Sequence, residues 1–190
     1  TRFSRAQASA LRARLPAELG DAYYQLVYYA VAATANVYEL RLAQFQNRLY
    51  ARQGRAATNA RAVEAERCFA EDRAMSAYYD RELAWGKWAH WQSQPKLGYG
   101  GPYPDSSWQQ PQRNDDAIAD FIWPELQRIR APARADLAVA IDGSAELWPG
   151  PAELPRLPEF SPYQTQPRQF IEVVNRGTVP FAYRVEPGVP

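Results

Sequence analysis

The residues best suited to chemistry lie between Trp85 and Pro111, in WGKWAHWQSQPKLGYGGPYPDSSWQQP. Trp85, Trp88 and Trp91 recur every third residue and share one face if the helix leading into them persists. His90 is the only histidine of the chain, and Lys87 is one of two lysines. Sugar C–H faces lie flat on aromatic rings, so Lys87, Trp88, His90, Tyr99 and Trp108 are candidate substrate-binding residues of a sugar-binding rim. In that reading Lys87 or His90 faces a carboxylate or hydroxyl. In the plainer reading the three tryptophans close the end of a helical unit and His90 bonds to a backbone carbonyl. Both readings stand on the sequence.

Other chemistries find less support. One histidine and one cysteine, Cys68, match no zinc-ligand spacing, so no metal site is expected. Serines and aspartates accompany His90, but no Gly-x-Ser-x-Gly elbow occurs. The run GYGG (98–101) lacks the spacing of a phosphate or dinucleotide loop, so no cofactor is expected. The carboxylate pairs Glu71/Asp72 and Asp115/Asp116 are sequence neighbours, which diverge by about 100° on a helix. A glycosidase needs carboxyls facing each other across the bond. Both pairs therefore read as solvated helix charges, and no catalytic residue is assigned.

A net charge of +1 gives no electrostatic footprint for nucleic acid. No apolar run reaches the roughly 18 residues of a membrane span, so no membrane partner is expected. A single cysteine rules out an internal disulfide framework. The chain begins at Thr1, and any secretory signal is expected upstream of it.

The elements that must position these residues fall into two halves. Leu19, Tyr23, Leu26, Ala30, Ala33, Val37, Phe45 and Leu49 mark a helix over 17–53 by their three- and four-residue steps. Tyr23, Leu26, Val27, Leu42 and Phe45 are its expected buried face. Gly54 is a fitting stop, and Thr58 or Asn59 a fitting N-cap for a second helix over 59–90. Arg2–Leu15 reads as a shorter first helix. Residues 95–111 read as an aromatic, Pro- and Gly-rich ordered loop, with a short helix at Asp115–Ile122 or Glu125–Arg130. Beyond APARAD the period drops to two, predicting strands at 137–141, 169–175 and 180–186. Three strands do not close a sandwich, so the β part is expected to be incomplete at Pro190. The expected class is α+β: an antiparallel helical bundle over 1–131, then the start of an antiparallel β-sandwich over 132–190.

Two long motifs carry a family resemblance. YYQLVYY (23–29) and NRLYARQGR (47–55) resemble the helical domain of glycoside hydrolase family 115, the xylan α-1,2-glucuronidases. FAED (69–72), YYDRELAWGKWAHW (78–91), LGY (97–99) and WQQP (108–111) are similar to the segments that follow in that family, although Ala89 stands where the family carries Asn. VAIDGS (139–144), LPEFSPY (157–163) and IEVVNRGTVPFAYRV (171–185) resemble the start of its C-terminal β-sandwich. The resemblance implies a parent enzyme that removes α-1,2-linked glucuronic acid, or its 4-O-methyl ether, from xylan by inverting hydrolysis. It implies a catalytic barrel preceding the bundle, with the present residues acting as scaffold and dimer surface. Xylan-derived saccharide is then the partner of the parent, a homodimer in a secreted or periplasmic location.

Overall fold

The computed structural model describes residues 2–91, 125–150, 156–165, 168–186 and 188. Their fold is α+β: four helices, α1 (Arg2–Arg12), α2 (Gly20–Tyr23), α3 (Tyr29–Arg52) and α4 (Thr58–Arg81), precede a three-stranded antiparallel sheet. The expected loop 95–111 and the Asp115–Ile122 helix lie outside the described residues. Contacts group the chain into two units, Thr1–Phe45 with Arg61–Leu126, and Gln46–Ala60 with Gln127–Pro190.

Helical backbone runs from Ala17 to Arg52, as the periodicity predicts, through a 3-10 turn (Ala17–Leu19), α2, a π-turn (Tyr24–Tyr28) and α3. Gly54 terminates it with a left-handed φ of 64°, a conformation glycine adopts without penalty. The Thr58 hydroxyl donates to the Arg55 carbonyl at 2.7 Å where α4 begins.

In the first unit α3 and α4 pack antiparallel. Tyr29, early in α3, meets Tyr79, late in α4, with ring centroids 4.6 Å apart. Further along, the Asn36 side chain donates to the Cys68 carbonyl at 2.7 Å. Leu40 and Ala43 pack with Ala65 and Cys68. The buried residues of α3 in this unit are Tyr29, Ala32, Ala33, Ala35, Asn36, Leu40, Ala43 and Gln44.

The expected buried face is therefore corrected. Leu26 is 73% exposed, Val27, Leu42 and Phe45 are exposed too, and Tyr23 is only half-buried. The run is apolar around most of its circumference, so periodicity alone does not select a side. Alanines let the helix axes approach, and α4 offers Ala62, Ala65 and Cys68 to match them. Leu26, Val27, Leu42 and Phe45 turn outward. α1 joins this unit through an ion pair of Arg5 with Glu71 and through the Tyr23 hydroxyl, which donates to the Ala8 carbonyl at 3.1 Å.

In the second unit β1 (Leu137–Ile141) is central, between β2 (Leu147–Trp148) and β3 (Ile171–Asn175). The β1–β3 register runs from Leu137 opposite Asn175 to Ile141 opposite Ile171. The alternation of β1 is present, and its buried side is Ala138 and Ala140, packed with Leu147 and Val174. Residues 180–186 form no strand, contrary to the prediction. Alternation makes a segment competent to pair, but a strand exists only with a partner. The expected helix at Glu125–Arg130 is also absent. The Asn47 and Asn59 side chains instead hold the backbone of Gln127 and Ile129 extended.

Candidate functional site

α4 ends at Arg81, before the tryptophans. The Leu83–Gly86 turn that follows has left-handed φ at Ala84 (49°), Trp85 (57°) and Gly86 (76°), and His90 adds another at 63°. Positive φ is costly for alanine and tryptophan, and such strain gathers at functional segments. The helix does not persist, so the three tryptophans share no helix face. Trp88 turns inward and packs against the cluster of Tyr24, Tyr29, Met75, Tyr79 and Leu83. Trp85 is 97% exposed and Trp91 67% exposed.

The candidates thus divide. Lys87 Nζ sits 5.0 Å over the Trp88 ring, a cation–π contact. Trp91 meets Trp88 edge-on at 5.7 Å. His90 is exposed beside them. Lys87 and Trp88 are in contact, His90 is exposed two residues further on, and Tyr99 and Trp108 lie outside the described residues. Trp88 is committed to closing the helical core, and Trp85 and Trp91 are the rings free to stack on a ligand.

A second constellation was missed by sequence reasoning. The π-turn Tyr24–Tyr28 widens the helix locally. Its i→i+5 bonding carries Tyr24, Tyr28 and Tyr29 round to one side, with Tyr24 5.3 Å from Tyr28 and 6.2 Å from Tyr29. Tyr78 of α4 packs edge-on against Tyr24 at 4.7 Å. The Arg12 guanidinium lies 4.8 Å over the Tyr24 ring and 5.0 Å over that of Tyr28. Arg12, Tyr24, Tyr28 and Tyr78 line a cavity of about 250 Å³ with Ala74 and Met75. Burial pushes the Tyr24 phenol up to about 12, against the opposing pull of Arg12. The visible signal was the tyrosine doublets at 23–24, 28–29 and 78–79, which at α-helical period read only as core.

Glu39, Glu64 and Cys68 bring ligand-type atoms within 4.8 Å of one another. Arg67 already supplies their cation: its guanidinium is 3.0 Å from Glu64, 3.6 Å from Glu39 and 3.3 Å from the Cys68 sulfur. The donor set fits an arginine network better than a metal. Burial raises the Cys68 thiol, keeping it protonated. Of the carboxylate pairs, Glu71 is ion-paired with Arg5 and Arg67. Asp72, expected to be solvated, is fully buried on α4, and Asp115 and Asp116 lie outside the described residues.

In the second unit the NRLYARQGR motif is occupied by structural contacts. Asn47 bonds to the Thr58 carbonyl and to both backbone polar groups of Gln127. Gln53 donates to the Ala145 carbonyl at 2.8 Å. Arg55, buried, donates to Gln53 at 2.6 Å and to Glu172 on β3 at 2.8 Å, and stacks on Tyr50. Compared with known proteins, the chain matches no family model and no curated protein.

Proposed function

We propose that this chain is an accessory scaffold region of a glycoside hydrolase of the family 115 type, one that removes α-1,2-linked (4-O-methyl)glucuronic acid from glucuronoxylan. In this reading the helices belong to a bundle, the sheet opens a β-sandwich, and the parent enzyme is a homodimer. The hydrolytic carboxyls belong outside these 190 residues. The observation that supports the reading is the use made of the motif that carries the resemblance. Asn47, Gln53 and Arg55 spend their polar groups on backbone and on Glu172, which is the work of a scaffold. The exposed apolar side chains Leu26, Tyr38, Leu42 and Phe45 fit a surface that docks on further protein.

The exposure of Trp85 and Trp91 favours a second reading, a carbohydrate-binding module. Incubation of the purified chain with glucuronoxylan tests the first: free uronic acid should not exceed the no-protein control. Release that a single carboxylate-to-amide change in this chain abolishes would overturn it. Retention on insoluble xylan, lost in Trp85→Ala, would establish the second.

A further inference from the structure

The tyrosine cavity of the first unit has a composition that points to a ligand. Its wall holds one guanidinium, Arg12, which makes no ion pair among the described residues. The rings of Tyr24 and Tyr28 fix that guanidinium from beneath, so its planar donor fork is oriented before anything binds. Tyr24 and Met75 are buried and form a largely apolar floor, while Tyr28 and Tyr78 are half-buried at the side and the mouth is open. The cavity measures about 250 Å³. Drug-sized ligands occupy roughly 300–1,000 Å³, so this cavity suits a single substituted ring. The π-turn that arranges the rings is itself a rare element, frequent at functional sites.

We propose that this cavity binds a small ring bearing a carboxylate, with Arg12 pairing the carboxylate and Tyr28 and Tyr78 packing the ring. The chemistry is shared by uronic acid sugars and by aromatic carboxylates. A bare inorganic anion would satisfy Arg12 but leave the aromatic walls unused. A neutral sugar would use the walls and leave the guanidinium without a counter-charge. The site is independent of the hydrolase reading, since it rests on the packing of α1, the π-turn and α4.

The test is titration of the full chain, by calorimetry, with glucuronate, benzoate, xylose and sulfate. A carboxylated ring should bind with a Kd of about 1 mM or tighter, worth roughly 4 kcal/mol. Xylose and sulfate should each bind at least about tenfold more weakly, because each lacks half of the recognition. Preference for glucuronate over benzoate identifies a sugar ligand, and the reverse an aromatic one. Arg12→Gln should weaken binding by about tenfold or more while leaving the melting temperature nearly unchanged, since Arg12 is exposed. Tyr78→Leu, which keeps the wall apolar but not aromatic, should weaken the ring contact in a chain shown to be folded by circular dichroism. No binding by either carboxylated ring, equal binding by sulfate, or undiminished binding in folded Arg12→Gln would overturn the proposal.

Discussion

The side-chain amide of Asn47 pairs with the backbone of Gln127 as a neighbouring strand would. Its Oδ1 accepts from the Gln127 N–H at 2.7 Å, and its Nδ2 donates to the Gln127 carbonyl at 2.9 Å. Asn59 repeats the arrangement two residues on, with both bonds to Ile129 at 3.0 Å. Two asparagines thus hold an extended segment that has no strand partner of its own at these positions.

Burial separates the two clamps. Asn47 is fully buried and also serves the Thr58 carbonyl, whereas Asn59 is exposed. Asn47→Ala strands buried polar groups and should cost about 2–4 kcal/mol. Asn59→Ala lets water replace the lost bonds and should cost about 0.5–1 kcal/mol. Urea unfolding of both variants measures the difference, and equal losses would refute the assignment of burial as the cause.

Helix register gives a second prediction. Leu40 is fully buried between α3 and α4, and Leu40→Ala should cost about 2–5 kcal/mol. Leu26→Ala, on the exposed side, should stay within about 0.5 kcal/mol in the isolated chain. A large loss at Leu26 measured by thermal melting would mean that the exposed face is covered in solution.

The tryptophans should separate in the same way. Trp88→Ala removes a ring packed on the core and should destabilise by about 2 kcal/mol or more. Trp85→Ala should leave the melting curve almost unmoved, because its ring makes little of the core. Equal melting of the two variants would contradict the inward placement of Trp88.

Tyr24 makes a prediction about alkaline pH. Its phenol ionises near 12 when folded, against an ordinary value of 10.0. The folded state therefore holds this proton more tightly than the unfolded state. The stability this contributes is whole below about pH 10 and is lost as pH rises toward about 12, on the order of 2–3 kcal/mol in total. Tyr24→Phe should flatten the decline over that window in denaturant titrations at stepped pH. An unchanged slope would place the alkaline sensitivity elsewhere.

Gly177 tests the second unit. A Cβ there would stand 1.8 Å from the Arg134 carbonyl oxygen, with the Pro132 carbonyl at 3.1 Å. The neighbours are backbone, tied down by Thr178 N–H to Pro132 and by the Arg176 pair to Asp136, whose carboxyl that pair holds below its ordinary range. Gly177→Ala should cost about 1–3 kcal/mol by forcing a backbone shift. Gly54→Ala meets no atom within 4 Å, so its cost should come from the left-handed φ alone, about 1 kcal/mol.

By itself the sequence determined what is local. The helical run to Arg52, its stop at Gly54 and the alternation of β1 are set by spacing and turn residues within a few positions. The contact of Lys87 with Trp88 was legible for the same reason, the two being adjacent in the chain. Only the tertiary structure decided which side of α3 is buried, because a helix with apolar residues on several sides takes its orientation from the small-residue face of α4. It decided that Trp88 enters the core and Trp85 leaves it, through positive φ values at Ala84 and Trp85 that neither residue type favours. It decided that 127–129 is extended and that 180–186 forms no strand with the described residues, since an extended segment is defined by the groups that satisfy its backbone, and those lie far away in sequence.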